Sequence, residues 1–194
     1  MKVGIILTND ERSRAYLQKL QQQKILLDSY VLMNNAIEIE FSKEVISTSK
    51  KFGFDISEST KNTLLKNNIL FNEFNFLDIN HPKLINFLKE ENCDYFIFTG
   101  GGILKKDILN LPIKFIHMHP GIVPHYRGST CFYYSIINEQ SAGVTAFIMD
   151  KNLDTGNVIY QKKFEKPNHQ FIDEVYDPFI RSETLMDILQ RQIL

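Results

Sequence analysis

The run MKVGIILT (1–8) is short and apolar, and it reads as a buried strand. The polar stretch ERSRAYLQKLQQQK follows, with Ala15, Tyr16, Leu17 and Leu20 placed to pack one face of a helix. A second apolar run, ILLDSYVLM (25–33), completes a strand–helix–strand opening. That order constrains the chain strongly, because parallel strands need a crossover and a helix is the usual one. The expected fold class is α/β, a mostly parallel twisted sheet with helices on both faces.

The pattern continues. Residues 34–68 hold a strand or a helix and then a helix over 58–67, for which Ser57 and Ser59 are candidate caps. ILFNEFNFLDIN (69–80) gives a short strand and a connection, and HPKLINFLKEEN (81–92) a helix with Pro82 at an early, tolerated position. DYFIFTGGG (94–102) is a buried strand ending in three glycines. A helical piece, ILKKDILN, leads to the strand IKFIHMH (113–119) and then to a helix over STCFYYSIIN (129–138). GVTAFIMD (143–150) and NVIYQKKF (157–164) are strands joined by KNLDTG. The C-terminal segment, about 170–192, is helical and interrupted at Pro178, with Phe171, Ile172, Val175, Ile180, Leu185 and Ile188 reading as core. No repeat or linker divides the chain, so 1–194 is expected to form a single domain.

Composition narrows the function classes. A net charge of −1 gives no basic footprint for nucleic acid. Two cysteines, Cys93 and Cys131, far apart, exclude a disulfide framework or a cysteine-rich zinc module and read as buried thiols. The N-terminal apolar run is too short for a signal peptide, and no run approaches the ~20 residues that span a bilayer. The expectation is a cytoplasmic protein with no membrane partner.

In an open α/β sheet, ligands bind beyond the carboxyl ends of strands. Three features fall at such ends: Gly100, Gly101 and Gly102; His119; and Asp154, in the turn after the strand at 143–150. The glycines lack the spacing of a dinucleotide fingerprint. The stretch FIHMHPGIVPHYRGST (115–130) holds His117, His119 and His125. His117 and His119 share one face of a strand, so both could reach one metal ion, completed by Asp154 or His125. Alternatively His119 carries a proton and stabilises an oxyanion, oriented by Asp154. A purely structural role is the third reading.

HPGIVPHYRG (119–128) followed by GVTAFIMDKNLDTGNVI (143–159) resembles the folate-dependent formyltransferases, which act on glycinamide ribonucleotide, methionyl-tRNA or sugar amines. Their pattern is approximately Asn-x-His-Pro-Ser-Leu-Leu-Pro-x-Tyr-Arg-Gly, then Gly-Val-Thr and an Asp-x-Gly turn. The likeness spans about residues 94–160, whereas the first 90 agree only in strand and helix order. It implies a Rossmann-like formyltransferase fold with 10-formyltetrahydrofolate as formyl donor. The family's catalytic histidine falls on His119, its aspartate on Asp154, and its asparagine on His117, a departure at the position that normally donates a second hydrogen bond.

The resemblance also implies amine attack on the formyl carbon through a tetrahedral intermediate. The implied folate-lining residues are Phe98, Thr99, Gly100, Gly101, Gly102, Ile103, Ile122, Val123, Pro124, Met149 and Asp150. Tyr126, Arg127 and Gly128 match a loop that could meet the acceptor, while His125 falls at a variable, solvent-exposed position. The chain lacks the extra C-terminal domain of the tRNA enzymes and has no basic excess, so tRNA is not expected. Its first loop, TNDERS, lacks the glycines that hold a ribonucleotide phosphate, although Arg12 and Arg14 stand beside it. The expected acceptor is a primary amine of a small molecule, such as an amino-sugar nucleotide. Alternatives are cofactor hydrolysis, a non-catalytic member, or metal binding through His117 and His119 with no further metal site. A homodimer is compatible with the sequence.

Overall fold

The computed structural model describes residues 1–34, 39–128, 131–152 and 155–194. The elements run β1 (Val3–Leu7), α1 (Glu11–Gln22), β2 (Ser29–Met33), α2 (Lys43–Lys51), α3 (Thr60–Lys66), β3 (Asn72–Phe74) and α4 (Pro82–Glu90). They continue with β4 (Tyr95–Phe98), α5 (Lys106–Leu109), β5 (Lys114–His119), α6 (Cys131–Glu139), β6 (Ser141–Ile148) and β7 (Asn157–Glu165). A π-helical turn (Ile172–Tyr176) then leads into α7 (Asp177–Gln190).

The seven strands form one sheet in the order β3-β2-β1-β4-β5-β6-β7. β1 to β5 are mutually parallel, whereas β6 runs antiparallel to both β5 and β7. The strand order reverses between β1 and β4, which opens a crevice at their carboxyl ends. Alternation along each strand sends side chains to two helical layers. Leu7, Ile97, Ile116 and Met118 pack under α1 and α7 with Leu17, Leu20, Ile180 and Ile188. Ile6, Phe96, Phe98 and Phe115 face the other way, under α4 and α5 with Leu84, Leu88 and Ile108. A smaller cluster of Ala15, Val45, Phe54, Ile56 and Val175 ties α2 and the π turn to α1.

The caps explain where the helices start. Asp10 accepts from the Ser13 N–H, Ser42 from Val45 and Ser59 from Asn62, so Ser59 rather than Ser57 opens α3. Pro178 sits in the first turn of α7, where its missing N–H leaves no bond unmade. The expected interruption is therefore the start of a helix, and the irregular turn lies just upstream. Val175, Ile180, Leu185 and Ile188 are buried, with Phe171 and Ile172 packed at the cluster edges. Among the described residues, no helix is long and apolar enough to cross a membrane.

Candidate active site

The crevice begins with hydroxyl chemistry at the end of β4. Thr99 donates to the Ile6 carbonyl at 2.9 Å, which leaves its oxygen to accept from Ser13 at 2.7 Å. Ser13 in turn accepts from the Thr8 N–H at 2.9 Å. This chain pins the carboxyl ends of β1 and β4 to the start of α1, and the glycine loop leaves from that fixed point.

Gly101 and Gly102 have φ of +121° and +102°, a region that L side chains rarely adopt. At Gly101 there is also no room, since an added Cβ would come within 2.5 Å of Met33 Cε and 3.0 Å of the Leu77 carbonyl. The loop is propped from outside. Ile79 N–H donates to the Gly101 carbonyl at 3.0 Å, and Asn80 bridges the Ile103 carbonyl and the Lys105 N–H at 2.9 and 2.7 Å.

Beneath this loop is a cavity of about 440 Å³ lined by Arg12, Phe98, residues 99–104, His117, Phe147 and residues 149–152. That volume falls in the range of small-molecule sites. It gathers His117 together with Phe98, Thr99, Gly100, Gly101, Gly102, Ile103, Met149 and Asp150. The apolar walls are Phe98, Leu104, Phe147 and Met149, and the edge-on Phe147 ring stands 5.8 Å from that of His117. Arg12 is held by Asp10 at 3.1 Å. Burial acts to lower its pKa, but Asp10, Asp177 and Tyr16 outweigh that and raise it, so a cation stands at the cavity wall.

His117 is half-buried, and its Nδ1 is a buried nitrogen with no hydrogen-bond partner among the described residues. Burial drives its pKa well below the ordinary 6.5. Arg181, His119 and Arg12 push the same way, and only the Phe98 backbone opposes. The ring is therefore neutral at physiological pH, with one nitrogen a donor and the other an acceptor. A buried polar atom left unpaired costs roughly 1–3 kcal/mol, and a ligand group or a water in the cavity would remove that cost.

His119, on the same face of β5, is 2% exposed and not part of the cavity lining. The His117 and His119 ring centroids are 6.4 Å apart. His119 Nε2 lies 3.0 Å from the Tyr126 carbonyl and 3.3 Å from Cys131 Sγ. Among the described residues, no group of three His, Cys, Asp or Glu stands together as a metal site.

Asp154 lies outside the described residues. Its turn follows β6, which is the sheet neighbour of β5, with Thr145 opposite His119 and Phe147 opposite His117. Because β6 is antiparallel, its carboxyl end falls at the level of Ile116 rather than beyond His119. Residues 149–152 reach the cavity from that side. Asp150 caps this turn, accepting from the Asn152 N–H at 2.8 Å and the Thr155 hydroxyl at 3.0 Å.

Ile122, Val123 and Pro124 do not line the cavity. Their segment follows the β6 side. Val123 N–H donates to Thr145 at 3.1 Å, its carbonyl accepts from Gln161 at 2.8 Å, and Ile122 lies against Gly143. Tyr126 is half-buried, its carbonyl meeting His119 and its hydroxyl bonded to Glu139, whereas His125 and Arg127 are exposed. Tyr126, Arg127 and Gly128 all lie outside the lining.

Two contributors were not evident from sequence. Cys131 reaches His119 across twelve residues, and Arg181 of α7 donates to the Met118 carbonyl at 2.7 Å, between the two histidines. An arginine in the middle of an otherwise apolar helix face was the available signal for the second.

A formyl transferase family profile matches residues 32–186. Among curated relatives, the methionyl-tRNA formyltransferase of Clostridioides difficile (strain 630) is 29% identical over 87% of this chain and 53% of its own. That of Clostridium beijerinckii is 39% identical over 48% of this chain and 32% of its own. The chain spans about half, or less, of the length of the curated relatives it matches. The phosphoribosylglycinamide formyltransferase of Streptococcus pneumoniae TIGR4 superposes with a TM-score of 0.66 at 14% identity, covering 100% of this chain and 99% of that one. A sugar 3N-formyl transferase, WlaRD, solved in the presence of dTDP and 5-N-formyl-THF, gives 0.63 at 20% identity, covering 100% and 63%.

Proposed function

As the chain belongs to the formyl transferase family, we propose that it transfers a formyl group from 10-formyltetrahydrofolate to a primary amine, with residues 1–194 acting as one catalytic unit. The observation that carries this reading is the buried Nδ1 of His117, unpartnered among the described residues, in a cavity where glycine backbone and the apolar side chains of Phe98, Leu104, Phe147 and Met149 face it and Arg12, Thr99 and Asp150 to Asn152 form the polar remainder. Such a site suits a flat heteroaromatic ring with one polar reacting group. The glycine loop offers backbone donors and acceptors to the ring edge, and Phe98, Leu104, Phe147 and Met149 cover its faces. 10-Formyltetrahydrofolate would supply an activated formyl carbon there.

The chain's own part is electrostatic and acid–base. His117 replaces the family's asparagine, and a neutral imidazole offers one N–H, which can fill the same donor role. His119 takes the proton that the amine must lose. Asp154 is assigned to orient it. Tyr126, Arg127 and Gly128 are assigned to the acceptor side of the crevice, and Ile122, Val123 and Pro124 keep the folate assignment that the resemblance gives them.

We assign the acceptor to small amines, an amino-sugar nucleotide first, for which Arg12 supplies an anion-binding cation at the wall. Methionyl-tRNA is the second reading, favoured by the curated relatives. Incubation with 10-formyltetrahydrofolate and each acceptor, followed by mass spectrometry, separates them. A formylated amino-sugar nucleotide supports the first and formylated methionyl-tRNA the second. Formate released without any amine points to hydrolysis, and no turnover of the folate contradicts the proposal.

A further inference from the structure

Cys131 opens α6 and is 3% exposed, yet its thiol is not surrounded by apolar groups alone. Sγ lies 3.2 Å from the Pro120 carbonyl oxygen and 3.3 Å from His119 Nε2, and the Tyr126 carbonyl oxygen is 3.0 Å from that same nitrogen. A carbonyl oxygen has no hydrogen to give, so the contact with Tyr126 requires one on Nε2. The thiol has a single hydrogen, directed at Pro120, which leaves its sulfur to face the Nε2–H as an acceptor. Gly121 closes the arrangement: an added Cβ there would come within 2.9 Å of Sγ.

We propose that Cys131 is a positioning residue for His119: together with the Tyr126 carbonyl it fixes Nε2 as the hydrogen-bearing nitrogen and so sets the tautomer of the ring. The sulfur does two jobs from one place. Through Pro120 it holds the backbone that follows the histidine, and through Nε2 it holds the ring. The other tautomer would set a bare Nε2 against the Tyr126 carbonyl oxygen, two acceptors in contact.

The tautomer belongs to the free protein, and only the kinetic part of the test rests on the formyl-transfer reading. The experiment is a long-range ¹H–¹⁵N spectrum of protein labelled at histidine, recorded where the rings are neutral, for wild type, Cys131→Ala and Cys131→Ser. Wild type is expected to show His119 as the Nε2–H form. Cys131→Ala is expected to mix the two forms, and Cys131→Ser, whose hydroxyl can donate and accept in the same directions, to restore the wild-type pattern. Steady-state kinetics should show kcat lower by about tenfold in Cys131→Ala, the size of one positioning hydrogen bond, with KM for the folate unchanged. His119 carrying its hydrogen on Nδ1 in wild type would overturn the proposal. So would Cys131→Ala with an unchanged tautomer ratio. If neither variant nor wild type turns over, the formyl-transfer reading fails while the spectrum still decides the tautomer.

Discussion

Replacing Arg181 by methionine tests whether the active face of β5 is held from behind by α7. The guanidinium donates to Asp177 Oδ1 through Nε and to the Met118 carbonyl through Nη1, both at 2.7 Å, and the two side chains are 7% and 14% exposed. Methionine keeps the apolar stem and removes both bonds. What remains is a shielded carboxylate without its cation and a buried carbonyl without its donor. Breaking a buried pair by removing one partner costs about 3–5 kcal/mol, and the partial exposure of Asp177 argues for the lower end, about 3 kcal/mol. With a urea slope of about 2 kcal/mol per molar, that moves the unfolding midpoint down by about 1.5 M. Asp177→Asn in the same chain removes the stranded charge and should recover about half of the loss. The cation also depresses His117, second only to burial, so Arg181→Met should raise the His117 pKa. Equilibrium urea unfolding of wild type, single and double variants, with an NMR titration of His117, measures all of this. A single variant that loses less than about 1 kcal/mol, or a double variant no better than the single, would refute the reasoning.

Three further predictions concern the cavity. His117→Ala should lower kcat by about 10²-fold, as the loss of an oxyanion donor does, while His117→Asn stays within about tenfold of wild type; equal rates for wild type and alanine would remove His117 from the chemistry. Because burial holds His117 below 6.5, the unfolded chain binds its proton first, so stability is complete above about pH 6.5 and falls as pH drops toward the folded-state value. The slope contributed by this one histidine reaches about 1.4 kcal/mol per pH unit, and urea melts between pH 7.5 and 5 should show His117→Asn flatter than wild type by up to that amount. Gly101→Ala meets both a positive φ and the Met33 and Leu77 contacts, and should cost about 2–3 kcal/mol, whereas Gly102→Ala, with open space around it, should cost only about 1 kcal/mol; thermal melts of the pair that fall in the opposite order would contradict the described loop.

Much of the architecture was legible because it rests on local periodicity. The apolar runs at 1–8, 94–99 and 113–119 are strands, and the amphipathic stretches between them are helices. Residues 34–68 were harder. KEVISTSKK is rich in Ser, Thr and β-branched residues, and α2 is buried mainly through Val45 and Ser49, against a cluster that includes Val175 from the far end of the chain. At the site, the glycine loop and His117 were readable because strand ends and i, i+2 spacing are local facts. The antiparallel direction of β6 was not, and it decides from which side residues 149–152 approach. Nor were the Arg181–Met118 and Cys131–His119 contacts, which join residues whose separation in sequence carries no periodic signal.

The most direct measurement is a calorimetric titration of the protein with a stable 10-formyltetrahydrofolate analogue, repeated on Gly101→Ala, whose added methyl group meets Met33 and Leu77 behind the loop and so displaces the cavity wall. Micromolar one-to-one binding by the wild type, weakened or lost in the variant, is the predicted result. A wild-type chain that releases no heat, or a variant that binds as tightly as the wild type, would contradict the placement of the folate beneath the glycine loop.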